Sequence, residues 1–137
     1  MAVNEARASA IASQPVFNPY DIDLNKLIGI ESSWDTRAYN KKSKARGLAQ
    51  ITPIALRDYN QLNPADQHSL DDLYNPQINQ KIAQWTLAER IPQMLKAYGV
   101  PLTQDNVLWA YNAGIGRVVD NFMPAETKDY IRKYKER

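Results

Sequence analysis

The chain has 137 residues, 44% hydrophobic and 23% charged, with a net charge of +2, the composition of one globular domain with a single core. That charge excess is too small to argue for a nucleic-acid partner. The absence of cysteine excludes disulfides, thiol catalysis and cysteine-ligated metals, and the lone histidine, His68, excludes a multi-histidine metal site and confines any Ser-His-Asp arrangement to one position.

Residues 1–20 carry Pro15, Asn18 and Pro19 and no periodic apolar pattern. They read as a leader or arm, with the folded domain over 21–137. From Asp21 the pattern becomes helical: Asp21 or Asp23 caps a helix whose Leu24, Leu27, Ile28 and Glu31 share one stripe. Thr36 to Arg46 is polar, basic and aperiodic, which predicts a loop. Gly47 is expected to open a second helix over Leu48 to Tyr59, with Leu48, Ile51, Ala55 and Leu56 inward and Pro53 tolerated near the first turn.

Residues 60–75 read as loop, punctuated by Asn63-Pro64 and Asn75-Pro76. A long helix follows from about Gln77, with Ile78, Ile82, Trp85 and Leu87 on its apolar side and a kink or break at Pro92; Gly99 and Pro101 close that region. Thr103 caps a further helix that Gly114 and Gly116 stop, Arg117 to Phe122 form a short piece, and a last helix runs from about Ala125 to Tyr134 with a basic end. No strand-like alternation or internal repeat is visible, so the expectation is an all-α domain of five to seven helices.

Glu31 carries the chemistry. Seven residues after Leu24, four after Leu27 and three after Ile28, its carboxyl belongs to the buried stripe of a helix. An apolar setting raises a carboxyl pKa, and a carboxylic acid kept neutral near pH 7 can protonate a glycosidic oxygen. The plainer alternative is a helix-end glutamate turned to water or paired with Arg37 or Lys41.

Several blocks in order decide between these. Glu31-Ser32-Ser33-Trp34, Gly47-Leu48-Ala49-Gln50, Pro53, Leu73-Tyr74-Asn75-Pro76 with Asn79, Ala110-Tyr111-Asn112-Ala113-Gly114, and Glu126-Thr127 with Tyr130-Ile131 together resemble the soluble lytic transglycosylase domain family. They cover about residues 22–134.

The resemblance implies a lysozyme-like fold with a glycan groove. Glu31 would cleave the β-1,4 bond between N-acetylmuramic acid and N-acetylglucosamine, as acid and then as base, leaving a 1,6-anhydro end. One carboxylate suffices because the substrate supplies the nucleophile, where ordinary glycosidases use two; Asp35 reads as a solvated turn residue. The resemblance also makes Gln50 and Tyr111 substrate-binding, with the tyrosine close to Glu31 and its hydroxyl orienting either Glu31 or the N-acetyl group. Asn112 holds structure beside the groove, and Glu126 and Tyr130 either line it or serve the last helix locally. No cofactor or metal is implied.

The chain departs from the family pattern at Ala49, where methionine is usual and where the smaller side chain is expected to widen a subsite. It also departs at Lys44, where glycine is usual. The 31–47 spacing appears one residue long, which makes Ser43 the candidate for the family's substrate-contacting serine and sets Asn40 at the alternative position. The basic run Arg37, Lys41, Lys42, Lys44 and Arg46 reads as a solvated loop or as a contact for anionic peptide stems or teichoic acids.

Peptidoglycan strands are the expected partner of a monomer that has no membrane span and binds no nucleic acid. With no secretory pattern at Met1 to Ser13, delivery to the wall or periplasm is expected by a phage particle, by release at lysis or by a specialised secretion apparatus. Two other readings stay open: a hydrolytic muramidase resembling goose-type lysozyme (or a chitinase), and a catalytically silent glycan-binding module of a virion or secretion apparatus.

Overall fold

The computed structural model describes Tyr20 and residues 22–137; the rest of the expected 1–20 arm lies outside the described residues. Tyr20 itself is buried against the core. Among the described residues there are seven α-helical segments, and the only β-type pairing is two isolated bridges, giving the expected all-α domain.

Helix α1, Leu24–Ser32, starts where the Asp23 side chain accepts the Asn25 N–H at 2.9 Å. It ends where Ser33 and Trp34 turn left-handed at φ 54° and 66°. Leu27 and Ile28 are fully buried, and Glu31 comes in the last turn, half-buried.

The expected helix over Leu48–Tyr59 starts later than its apolar spacing indicates. Helix α2 is Pro53–Leu62, with the Thr52 hydroxyl capping Ala55 N–H at 3.2 Å and Pro53 in the first turn. Gly47 and Gln50, at φ 77° and 55°, are both left-handed and incompatible with a right-handed helix. Leu48, Ala49 and Ile51 are buried all the same, because a tight turn packs them inward. That turn is braced by antiparallel bridges from Arg46 to Tyr39 and to Ile51.

A 3₁₀ turn, Asp71–Tyr74, leads to helix α3, Pro76–Trp85, whose N-terminus is capped by the Asn75 side chain at Gln77 and Ile78. The long helix expected from here does form. A π turn at Thr86–Arg90 joins α3 to helix α4, Ile91–Ala97, with Ile91 N–H donating to Thr86 O. This change of register just before Pro92 is how the chain continues past a residue that has no N–H to give. Gly99, at φ 68°, ends α4.

Helix α5, Gln104–Ala113, is capped by Thr103 and stopped at Gly114, φ 92°. Gly116 does not stop it, as expected from sequence, but lies within the short helix α6, Ile115–Val119. Helix α7, Ala125–Glu136, is two residues longer than its apolar pattern indicated. Helix α5 is the hub: it packs on α4, α6 and α7, with Val107 and Leu108 fully buried. Truncating Leu108 to alanine at such a site costs about 3 kcal/mol.

Helix α7 also packs on α1, and two contacts set that pairing. The Tyr134 hydroxyl accepts Asp23 N–H at 2.8 Å, and Lys26 Nζ lies 4.7 Å from the Tyr134 ring centre. The buried stripe Thr127, Tyr130, Ile131 and Tyr134 is therefore covered by α1 and α5 together, with Tyr130 and Tyr134 meeting the α1 side and Thr127 the α5 side.

Candidate active site

Glu31 and Tyr130 meet because α1 and α7 are paired. One helical turn before Tyr134, the Tyr130 hydroxyl donates to Glu31 Oε2 at 2.9 Å. Glu31 keeps an edge open, but the packing around its carboxyl is dense. Burial pushes that carboxyl up from 4.5 to about 7; the Tyr130 hydrogen bond opposes the rise and the negative Glu126 adds to it. The result is a carboxylic acid protonated near neutral pH and already held by one hydroxyl.

Tyr111 lies close enough to Glu31 for the carboxylate to add to the burial that holds its hydroxyl pKa well above 10. That hydroxyl does not bond Glu31. It donates to Ala49 O at 2.7 Å and so ties α5 to the 47–50 turn. Ala49 is completely buried, its N–H donating to Asn79 Oδ1 at 2.9 Å. The small residue, expected to leave room at a subsite, is thus packed into the core.

Asn79 organises this turn. It is fully buried, and its Nδ2 donates to both Arg46 O and Leu73 O at 2.9 Å. Gly47 is required beside it: a Cβ there would lie 2.3 Å from Leu73 O and 2.4 Å from Asn79 Nδ2. Gln50 is not a surface amide on a helix. It closes the turn in a left-handed conformation, and its Nε2 donates to Gly47 O at 3.0 Å.

Gln50, Tyr111 and Asn112 lie on the wall of a groove of about 500 Å³ between α2, the α3–α4 rod and the α5–α6 corner, lined also by Ile54, Arg57 and Trp85. Glu31 is not on that wall; Tyr111 links the groove to the carboxyl. Asn112 is fixed by the buried Thr127, whose hydroxyl donates to Asn112 Oδ1 at 2.7 Å.

The remaining candidates lie further out. Ser43 is exposed in the 36–46 loop, where its hydroxyl accepts Ala45 N–H at 3.2 Å. Glu126 is exposed in the first turn of α7 and acts on Glu31 through its charge. Asp35 is exposed and accepts Arg37 N–H at 2.9 Å.

His68 has carboxylates at both ring nitrogens, Asp66 at 2.9 Å and Asp72 at 3.5 Å. The neighbouring Ser69 hydroxyl is bonded to Asp72 N–H, so no Ser-His-Asp relay forms there. No group among the described residues has the make-up of a metal site. None of the described helices is long and apolar enough to cross a membrane.

Sequence reasoning quoted Thr127 and Asn79 within motif blocks but gave neither a role, and it did not foresee the direct Tyr130–Glu31 bond. Thr127 and Asn79 both sit at helical spacing on otherwise apolar stripes, three and four residues from Tyr130 and Ile131 and from Ile82 and Ala83. A polar side chain on such a stripe must find a buried partner, and that signal marks both positions as clamps.

A helical domain with one raised carboxyl beside a groove is the architecture of lysozyme-like glycan-cleaving proteins. The sequence model of the family described as the Transglycosylase SLT domain matches residues 22–133. The chain therefore belongs to the transglycosylase SLT family, whose domains bind and cleave peptidoglycan of the bacterial cell wall. Searches of curated proteins and of solved structures return no significant match.

Proposed function

We propose that this protein is a lytic transglycosylase with Glu31 as its single catalytic carboxyl group. The observation that carries this reading is the carboxyl raised to about 7 in contact with Tyr130. Protonated Glu31 gives its proton to the glycosidic oxygen as the C1–O4 bond between N-acetylmuramic acid and N-acetylglucosamine breaks. The carboxylate so formed then takes the proton of the muramyl 6-hydroxyl while O6 bonds to C1. The Glu31 proton is restored, no water is consumed, and the product is a 1,6-anhydro ring.

The Tyr130 hydroxyl supports both halves. It orients the acid, and it stabilises the carboxylate between the two proton transfers. Gln50 and Tyr111 line the glycan groove, Asn112 shapes its wall through Thr127, and Glu126 tunes Glu31. Ser43 is the loop's candidate sugar contact.

A hydrolase would use a second carboxylate. Asp35 is engaged in its own turn, whereas Glu126 is close enough to perturb Glu31. Mass spectrometry of peptidoglycan digested by the wild type, Glu31→Gln and Glu126→Gln separates the cases. Anhydro products that vanish in Glu31→Gln and persist in Glu126→Gln are expected. Products heavier by one water that vanish in both variants would make it a hydrolase using Glu126. Wall binding without any product would make it a glycan-binding module.

A further inference from the structure

Positive charge is unevenly placed on this molecule. Five of its seventeen Lys and Arg lie between Arg37 and Arg46, while all fifteen Asp and Glu lie elsewhere. Some helical cations are ion-paired, Arg90 with Asp58, Lys81 with Asp66, Arg132 with Asp129 and Glu136, Lys133 with Asp129, and Lys135 with Asp105, whereas the hairpin has no carboxylate of its own to pair with. Among the ion pairs of the described residues none involves Arg37, Lys41, Lys42 or Lys44, all of them exposed.

The segment is a built hairpin. Tyr39 and Arg46 bridge its stem, Asn40 N–H donates to Ala45 O at 3.0 Å, and Lys44 N–H returns to Asn40 O at 2.7 Å. The Asn40 side chain accepts the N–H groups of Lys42 and Ser43 at 2.9 and 3.0 Å. Arg46 is used internally, donating to Lys44 O at 2.7 Å with its guanidinium 5.0 Å from the Tyr39 ring centre. Lys41, Lys42 and Lys44 are thus displayed on a preorganised tip. Its stem joins the groove, because Gly47 N–H donates to Ala38 O at 2.9 Å, three residues before the groove-lining Gln50.

The geometry points to this hairpin as a docking surface for a phosphodiester polymer carried by the cell wall. The charge array decides the class of partner. A single carboxylate of a peptide stem is best recognised in an enclosed site with a bidentate arginine, and here there are several exposed lysines with no enclosing wall. Such an array gains most from a chain of repeated anions, whose bound counterions it releases. A polymer attached to the same glycan strand would hold the groove on its substrate by multivalency. The inference of a wall polymer rests on the proposed function, but polymer binding is read without any cleavage.

The test uses the full chain and a variant with Lys41→Gln, Lys42→Gln and Lys44→Gln. Binding is measured to soluble poly(glycerol phosphate), to intact walls, to walls stripped of phosphodiesters by hydrofluoric acid, and to a single-stranded oligonucleotide of matched charge. Wild-type protein is expected to bind the polymer with an affinity that falls steeply with salt. The variant should melt unchanged and lose on the order of a hundredfold at low salt, with its log–log salt slope shallower by about two. Stripping the walls should weaken the wild type to the level of the variant. Equal polymer binding by the two proteins, or equal wild-type binding to stripped and intact walls, would each overturn the inference; competition by the oligonucleotide is expected, since it presents the same repeated phosphodiesters. Polymer binding by a chain that releases no glycan product would overturn the proposed reaction and leave this inference standing.

Discussion

Replacing Glu31 by glutamine should make the folded protein more stable at alkaline pH while abolishing cleavage. The sign follows from linkage. The Glu31 carboxyl binds its proton with pKa about 7 in the folded protein, against 4.5 as the ordinary value. Between those two pH values the folded state holds more protons than the unfolded one, so this group's contribution to stability falls as pH rises and levels off above 7. At about 1.4 kcal/mol for each tenfold in proton affinity, the full difference is roughly 3 kcal/mol. Glutamine is neutral throughout, and its amide oxygen can still accept the Tyr130 hydroxyl. The stability of Glu31→Gln minus that of the wild type should therefore be small at pH 4 and grow to roughly 2–3 kcal/mol at pH 8.5, on the order of 10 °C in Tm for a domain of this size. Other titrating groups are common to both proteins and cancel. Urea unfolding of the two proteins across this range measures the difference directly. A difference that does not change between pH 4 and pH 8.5 would refute the claim that Glu31 is held as a buried neutral acid.

The same pKa sets the falling limb of the activity profile near pH 7, and two substitutions should move it in opposite directions, read from kcat/KM against pH on purified wall. Tyr130→Phe removes the hydrogen bond that lowers the Glu31 pKa, so the limb moves up while the maximal rate falls by roughly tenfold to a hundredfold. Glu126→Gln removes a repelling charge, so the limb moves down with little loss of maximal rate; unshifted limbs in both would show that neither residue acts on Glu31. Gly47→Ala should destabilise the domain by more than about 2 kcal/mol, because φ 77° and the 2.3 Å approach to Leu73 O leave no room for a methyl group. Asn79→Ala removes three hydrogen bonds, two of them buried, and should cost about 3 kcal/mol by denaturant unfolding, with a larger loss of glycan affinity than a remote core truncation of equal cost.

In the proposed reaction, groove and acid are joined through a short chain of contacts. Asn79 and Gly47 hold the turn that carries Gln50, the Ala49 carbonyl of that turn receives Tyr111, and Tyr111 stands between groove and carboxyl. Perturbing any of these should change affinity before it changes the proton chemistry, since none of them bonds Glu31 directly. Among the described residues Tyr130 alone makes a side-chain hydrogen bond to the carboxyl, and its position depends on the pairing of α1 with α7.

Helix content, the caps at Asp23 and Thr103, and the burial of Leu27 and Ile28 beside Glu31 were legible in the sequence, because they depend on local spacing and local hydrogen bonding. The motifs kept in order along the chain also named candidate site residues, of which the structure brings Tyr111 and Tyr130 to Glu31 and leaves Ser43 exposed in its loop. What local pattern misjudged was the 47–50 turn. Leu48, Ala49 and Ile51 satisfy a helical period, yet the segment is held left-handed at Gly47 and Gln50 by Asn79, thirty residues from Ala49. Only the tertiary structure decided which hydroxyl meets Glu31, because residues 31 and 130 are joined by the packing of α1 on α7 and by no sequence neighbourhood. The raised pKa of Glu31 was inferable in direction from an apolar helical stripe. Its value near 7 required the surrounding helices, since desolvation depends on what closes over the carboxyl from elsewhere in the chain.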